Sequence, residues 1–336
     1  MNSSAKRVPL WDNLRFALIF VVILGHLAEY HTGQSAYLRI IFFYIYTFHM
    51  PAFIFLSGLF SKSTVNNKNY GRVFSYFVLY VFIKIISYLS SLAINGKASF
   101  TLLSEGGIPW YALALFWFSL LTIFLKRFNP VYVFVAGILL GCFAGYDDAL
   151  GDKLVLLRTI VYFPFFFAGY CLDADKLVAF VKKKAVIAVA AVIMAALFAV
   201  VYFGIENIYP LRPLLSGRNP FTTLPDNLTP YGGLLRAAYY IISFILIGCL
   251  IALTPQKETF LTPFGSRTVQ AYSLQIVFNR LFVVYIAPVL IEKLGISSAI
   301  FAVDLIPTAI IIAMLCSLKI LEKPFNLLLS PGKAKA

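Results

Sequence analysis

The sequence predicts an all-α, polytopic integral membrane protein with about ten transmembrane helices and both termini cytoplasmic. Three observations predict it. The 336 residues are 61% hydrophobic and 12% charged, with a mean hydropathy of +0.86; soluble domains average about 45–50% apolar and about 25% charged residues. Apolar runs of spanning length recur along the chain, each closed by charged or turn residues. Lys and Arg gather at alternate ends of those runs, as the positive-inside rule requires for an even number of spans. The net charge of +14 therefore reads as topology and attraction to anionic membrane lipids, with no nucleic-acid partner. Cys142, Cys171, Cys249 and Cys316 are widely spaced and imply neither a disulfide framework nor a thiolate metal site.

The first run, at about 14–31, follows a basic N-terminal segment like that of a signal peptide. No small-residue cleavage site follows it, so it reads as a span. The second, at 37–61, contains Phe48-His49-Met50-Pro51, where the proline frees a carbonyl and kinks the helix beside His49. Ser57-Gly58 in the same run permits close helix contact. The remaining runs fall at 73–95, 108–126, 130–146, 156–172, 184–204, 233–253, 268–290 and 298–320. With the first end inside, the cytoplasmic charges are Lys6, Arg7 and Arg15, then Lys62, Lys68 and Arg72, then Lys126 and Arg127. Lys176, Lys182, Lys183 and Lys184 follow, then Lys257 and Arg267, and finally Lys319, Lys323, Lys333 and Lys335. Residues 205–232 carry Pro210, Pro213, Pro220, Pro225 and Pro230 with Tyr209, Phe221 and Tyr231, which predicts a shaped outer loop. The whole of 1–336 reads as a single transmembrane domain.

Ionisable side chains inside a bilayer cost several kcal/mol, so each is a functional candidate. They are His26, Glu29, His49, Lys84 and Arg280, with Arg15 at the membrane edge. Arg15 and His26 are eleven residues apart, which puts them on one helix face about 16 Å apart along the axis. Asp12 can hold the Arg15 guanidinium, and Glu29 can orient the His26 imidazole, each from three residues away. His49 reaches a similar depth on the returning span, whereas His31 falls at an outer end and reads as interfacial. Blander roles exist for each group. A buried histidine can be a packing residue, Lys84 can snorkel or pair with another helix's carboxylate or backbone, and Arg280 can bind an anion or form a structural pair. Lys62, Lys68 and Arg72 form either a topogenic cluster or a phosphate site. His26, His49 and Glu29 could form a two-His-one-carboxylate set, but the chain lacks H-E-x-x-H and no metal site is predicted.

Four blocks in order resemble the membrane-bound acyltransferase 3 family. Asp12-x-x-Arg15 with Gly25-His26 resembles its first-span signature, and Phe48-His49-Met50-Pro51 with Phe55-Leu56-Ser57-Gly58 its second. Pro109-Trp110-Tyr111-Ala112-Leu113 resembles a segment of the fucose 4-O-acetylase-like branch. Phe264-Gly265 with Tyr272-Ser273-Leu274-Gln275 resembles the C-terminal pattern. The resemblance implies a ten-helix acyltransferase domain over 1–336, in the plasma membrane, that moves an acyl group from cytoplasmic acyl-CoA. The acyl group is usually acetyl and the acceptor a hydroxyl of an extracytoplasmic or lipid-linked cell-envelope glycan. It makes His26 the catalytic histidine and Arg15 its partner toward the anionic donor. Departures are Asn69-Tyr70-Gly71-Arg72, where an Arg pair is common and Lys68 is expected to supply the second charge, and Gln275, where many members have His.

The chemistry expected is general-base catalysis by His26, oriented by Glu29, with His49 polarising the thioester or stabilising its oxyanion. Acylation of a side chain first is equally allowed. Arg15, Lys68 and Arg72 are expected at the donor, and Trp110, Tyr111, Gln275 and Arg280 at the acceptor. Acetyl-CoA is a substrate here, with no permanently bound cofactor expected. The alternatives are a proton-coupled sugar or lipid transporter and a catalytically degenerate family member. Against the carrier, no corresponding pair of interrupted helices marks two halves.

Overall fold

The computed structural model describes residues 8–329, so the expected cytoplasmic charges Lys6, Arg7, Lys333 and Lys335 lie outside the described residues. The chain is a bundle of helices: α1 (Pro9–Glu29), α2 (Ala36–Tyr46), α3 (His49–Leu59), α4 (Lys62–Asn66), α5 (Tyr70–Asn95), α6 (Trp110–Leu125), α7 (Pro130–Phe143) and α8 (Leu156–Cys171). Then come α9 (Ala174–Val181), α10 (Lys184–Ile208), α11 (Arg212–Leu215), α12 (Gly232–Leu253), α13 (Thr262–Gly265), α14 (Thr268–Leu281), α15 (Ser298–Cys316) and α16 (Glu322–Leu329). Among the described residues there is no strand, only an isolated bridge between Ser104 and Lys153.

Among the described residues, 7 helices are long and apolar enough to cross a membrane. They are α1, α2 with α3, α5, α10 extended to Leu215, Thr229–Leu253, Thr268–Lys293 and α15. The pair α8 and α9 passes the same criterion together but bends by 94°, giving up to 8, while α6 and the α7 segment to Tyr146 are shorter apolar helices. Each apolar run of the sequence is thus helical, but not every one spans by length alone.

Helix ends follow local chemistry. Helix α1 starts at Pro9, five residues before the expected run, because proline at the first helical position has no amide left unbonded. Asn69 caps α5 by accepting the Arg72 amide at 2.9 Å, and Asp173 caps α9 from its side chain. The second span breaks at Thr47–Phe48. Pro51 has no amide to give the Thr47 carbonyl, and the Ser243 hydroxyl of α12 donates to that carbonyl instead, at 2.9 Å. After α14 the chain continues through two π-helical turns, Phe282–Ile286 and Val289–Lys293.

Helices α3 and α8 make the broadest helix–helix contact of the bundle. A Cβ at Gly58 would lie 1.9 Å from the Phe166 carbonyl oxygen, so glycine alone allows this backbone approach. At the other end of the site, Gly25 brings α2 against α1; a Cβ there would stand 3.1 Å from Ile45 and 3.2 Å from the Tyr46 ring. The Pro-rich connection folds into short helical turns around a small core of Leu214, Phe221 and Leu224. His31 is 7% exposed, with its ring edge-on to Phe301 of α15 at 5.1 Å, because the turn after α1 folds onto α15.

Candidate active site

Two adjoining cavities sit in the bundle. One, of about 210 Å³, is lined by His26, Glu29, Tyr30, Tyr46, His49, Met50, Trp110, Arg158, Tyr162, Arg218, Tyr272 and Arg280, among others. The other, of about 250 Å³, is lined by residues that include Arg15, Met50, Ser57, Phe60, Arg72, Tyr76, Tyr111, Tyr272 and Leu329. Met50 and Tyr272 belong to both linings and form a common wall.

The His26 cavity is organised by hydrogen bonds. His26 Nδ1 lies 3.3 Å from Glu29 Oε2 and 3.2 Å from the Tyr46 hydroxyl. The Tyr46 hydroxyl donates to the same carboxylate oxygen at 2.6 Å. A carboxylate only accepts, so the imidazole proton sits on Nδ1 and the Nε2 lone pair is left for a substrate. Glu29 is three residues beyond His26 on α1, which puts the two on one face, and the proximity allowed by Gly25 brings Tyr46 across from α2.

His49 is 2% exposed and its Nδ1 lies 2.9 Å from the Ile45 carbonyl. That carbonyl also only accepts, so neutral His49 likewise carries its proton on Nδ1 and presents a lone pair at Nε2. The oxyanion role expected for His49 requires a donor at Nε2, which the ring has only when doubly protonated. In the neutral state His49 is a hydrogen-bond acceptor for a hydroxyl. The Tyr46 ring stands between the histidines, 4.5 Å from His49 and 6.3 Å from His26.

Of the other expected site residues, Trp110 and Arg280 line the His26 cavity while Arg15, Arg72 and Tyr111 line the Arg15 cavity. Arg15 bonds Asp12 at 3.2 Å and lies over the Phe60 ring at 4.5 Å. Arg72 donates to the Leu329 carbonyl of α16. Trp110 and Tyr111 are neighbours in sequence yet face different cavities, because successive helical residues point about 100° apart. Tyr111 bonds the Ser57 hydroxyl at 2.6 Å, and its ring stands 5.2 Å from Tyr272, whose hydroxyl donates to the Ile108 carbonyl.

Two expectations are corrected. Lys68 lines neither cavity; it occupies an exposed turn with φ of 49°, one residue before the cap of α5. Gln275 lines neither cavity either: it is fully buried, and Tyr272, Ile276 and Arg280 present the adjacent face of α14 to the site. Lys84 pairs with Glu105 at 2.8 Å, the partnered alternative of the two considered. Among the described residues no group of three or more His, Cys, Asp or Glu is placed to hold a metal ion.

Sequence reasoning missed Tyr46, Arg158 and Arg218. Arg158 is 5% exposed and lies over the Trp110 ring at 4.6 Å. Its guanidinium donates to the carbonyls of Ser216, Glu105 and Gly106 at 3.4, 3.3 and 3.2 Å, tying two connections together at the cavity wall. In the sequence Arg158 stands out only as a positive charge near the outer start of the apolar run at 156–172.

The site is thus a carboxylate-backed histidine in one cavity of a helical membrane protein, adjoining a second cavity that bears Arg15 and Arg72. The chain belongs to the acyltransferase 3 family, whose acyltransferase domain matches residues 9–318. No curated protein and no solved structure matches it. Family membership makes it an integral membrane acyltransferase with an acyl donor and an acceptor as substrates.

Proposed function

We propose that the protein is an O-acetyltransferase of the plasma membrane that moves acetyl from cytoplasmic acetyl-CoA to a hydroxyl of an extracytoplasmic or lipid-linked cell-envelope glycan. The observation that carries this reading is the pair of cavities sharing Met50 and Tyr272. Arg15 and Arg72 give the first cavity the charge to hold the donor's phosphates. The second offers imidazole lone pairs to a hydroxyl, and the thioester meets that hydroxyl at the wall between them. The Trp110 segment supports a place in the fucose 4-O-acetylase-like branch.

The acceptor hydroxyl donates to His26 Nε2 and its oxygen attacks the thioester carbon. The C–O bond forms as the proton passes to Nε2, and Glu29 stabilises the resulting imidazolium through Nδ1–H. Collapse of the tetrahedral intermediate breaks the C–S bond, and the imidazolium proton leaves with the CoA thiolate as thiol. His49, as an acceptor, takes a hydrogen bond from a second hydroxyl of the glycan and so orients the sugar, because the attacking hydroxyl gives its one proton to His26.

The test is transfer of radiolabelled acetyl from acetyl-CoA into glycan and lipid in membranes holding the wild type or His26→Ala. Label in carbohydrate with the wild type alone is the expected result. Equal labelling by His26→Ala at matched protein levels removes the base assignment, and counterflow of a sugar without any labelling favours a carrier.

A further inference from the structure

We infer that the acceptor taken into the His26 cavity carries an anionic group, a carboxylate or a phosphate, and that Arg280 binds it. This deepens the acetyltransferase reading and rests on it for the word acceptor. The cavity wall contains Arg158, Arg218 and Arg280 against one lining carboxylate, Glu29. Arg218 is paired with Asp152, and nearby Lys84 with Glu105. Arg158 and Arg280 have no carboxylate at salt-bridge distance among the described residues. Two guanidiniums lining one cavity without a paired carboxylate are costly unless a ligand supplies the counter-charge.

The two arginines are not equivalent. Arg158 directs Nε, Nη1 and Nη2 to backbone carbonyls, so it offers the cavity a fixed positive field and few donors. Arg280 engages only Nη1, on the Ser87 carbonyl and the Ser90 hydroxyl of α5. Its Nε and Nη2 make no hydrogen bond among the described residues, and the side chain lines the cavity. An arginine anchored through one nitrogen with its other edge free has the fork geometry that binds carboxylate or phosphate in bidentate fashion. Glu29 does not compete for that edge, because its bonds go to His26 and Tyr46.

The experiment is calorimetric titration of the purified full-length protein in nanodiscs with glucose, glucuronate and glucose 1-phosphate. The wild type is expected to bind at least one anion about ten-fold or more tightly than glucose, a difference of about 1.4 kcal/mol. Which anion wins separates a sugar acid from a phosphate-linked acceptor. Arg280→Gln reduces the preferred anion to the level of glucose, Arg280→Lys retains part of the preference, and Lys97→Gln, which removes an exposed cation elsewhere, leaves it unchanged. Failure of both anions to bind more tightly than glucose, or a preference that survives Arg280→Gln, overturns the inference. Acetyl transfer to a neutral glycan without anion preference defeats this inference and leaves the acetyltransferase reading standing. Selective anion binding without any acetyl transfer does the reverse.

Discussion

Glu29 accepts from two groups, and its bond to the Tyr46 hydroxyl at 2.6 Å is shorter than its contact with His26 at 3.3 Å. Tyr46 thus holds the carboxylate while the carboxylate holds the imidazole. Removing a hydrogen bond to a charged group costs about 1.5–3 kcal/mol. Tyr46→Phe is therefore expected to lower kcat at least about ten-fold with little change in KM for acetyl-CoA, read from steady-state transfer rates. Glu29→Gln should cost more, about 100-fold or beyond, because the developing imidazolium loses its counter-charge. Arg72→Gln should act on the other substrate. It is expected to raise KM for acetyl-CoA about ten-fold while leaving S-acetylpantetheine, which lacks the nucleotide phosphates, unaffected; an equal rise for both donors would remove Arg72 from the phosphate site. At this scale the pairs on one helix were legible in the sequence, since Asp12 with Arg15 and His26 with Glu29 follow from a spacing of three. Tyr46 was not, because one tyrosine in an aromatic run carries no periodic mark and its role depends on how α1 and α2 cross.

Pro51 and Gly58 shape the helix carrying His49. The proline opens the carbonyl of Thr47, Ser243 closes it, and the glycine lets α3 lie against α8. Ser243→Ala leaves that buried carbonyl unsatisfied and is expected to destabilise the fold by about 1–3 kcal/mol. Gly58→Ala drives a methyl into backbone that cannot yield and is expected to cost about 1–3 kcal/mol with loss of transfer activity. Both are read from thermal unfolding in detergent, and an unchanged midpoint for Gly58→Ala would contradict the packing described. Helix positions were largely readable because apolar runs are separated by charges. Their ends were less so: α6 starts only at Trp110, since Gly107, Ile108 and Pro109 form a bend and turn before it, with Gly106, Gly107 and Ile108 lining the cavity. Arg158 shows the same gap, for a cation beside an apolar run reads as topogenic until the Pro-rich connection folds over it. Gln275 shows the converse, because one position along α14 separates the lining face from a buried one.

For the whole molecule, two cavities meet at a wall of Met50 and Tyr272, and the proposed reaction puts the donor in one and the acceptor in the other. No single helix contains this arrangement. Helices α1, α3, α5, α6, α8 and α14 each contribute to both linings, through Arg15 and His26, Phe53 and His49, Arg72 and Ser87, Tyr111 and Trp110, Phe166 and Arg158, and Val269 and Arg280. The most direct measurement of the claim uses sealed inverted vesicles, with labelled acetyl-CoA supplied only to the exposed cytoplasmic face and glycan acceptor enclosed within. Label is expected on the enclosed glycan with the wild type and none with His26→Ala. Label that requires acetyl-CoA on the enclosed side, or that persists with His26→Ala, would contradict the claim.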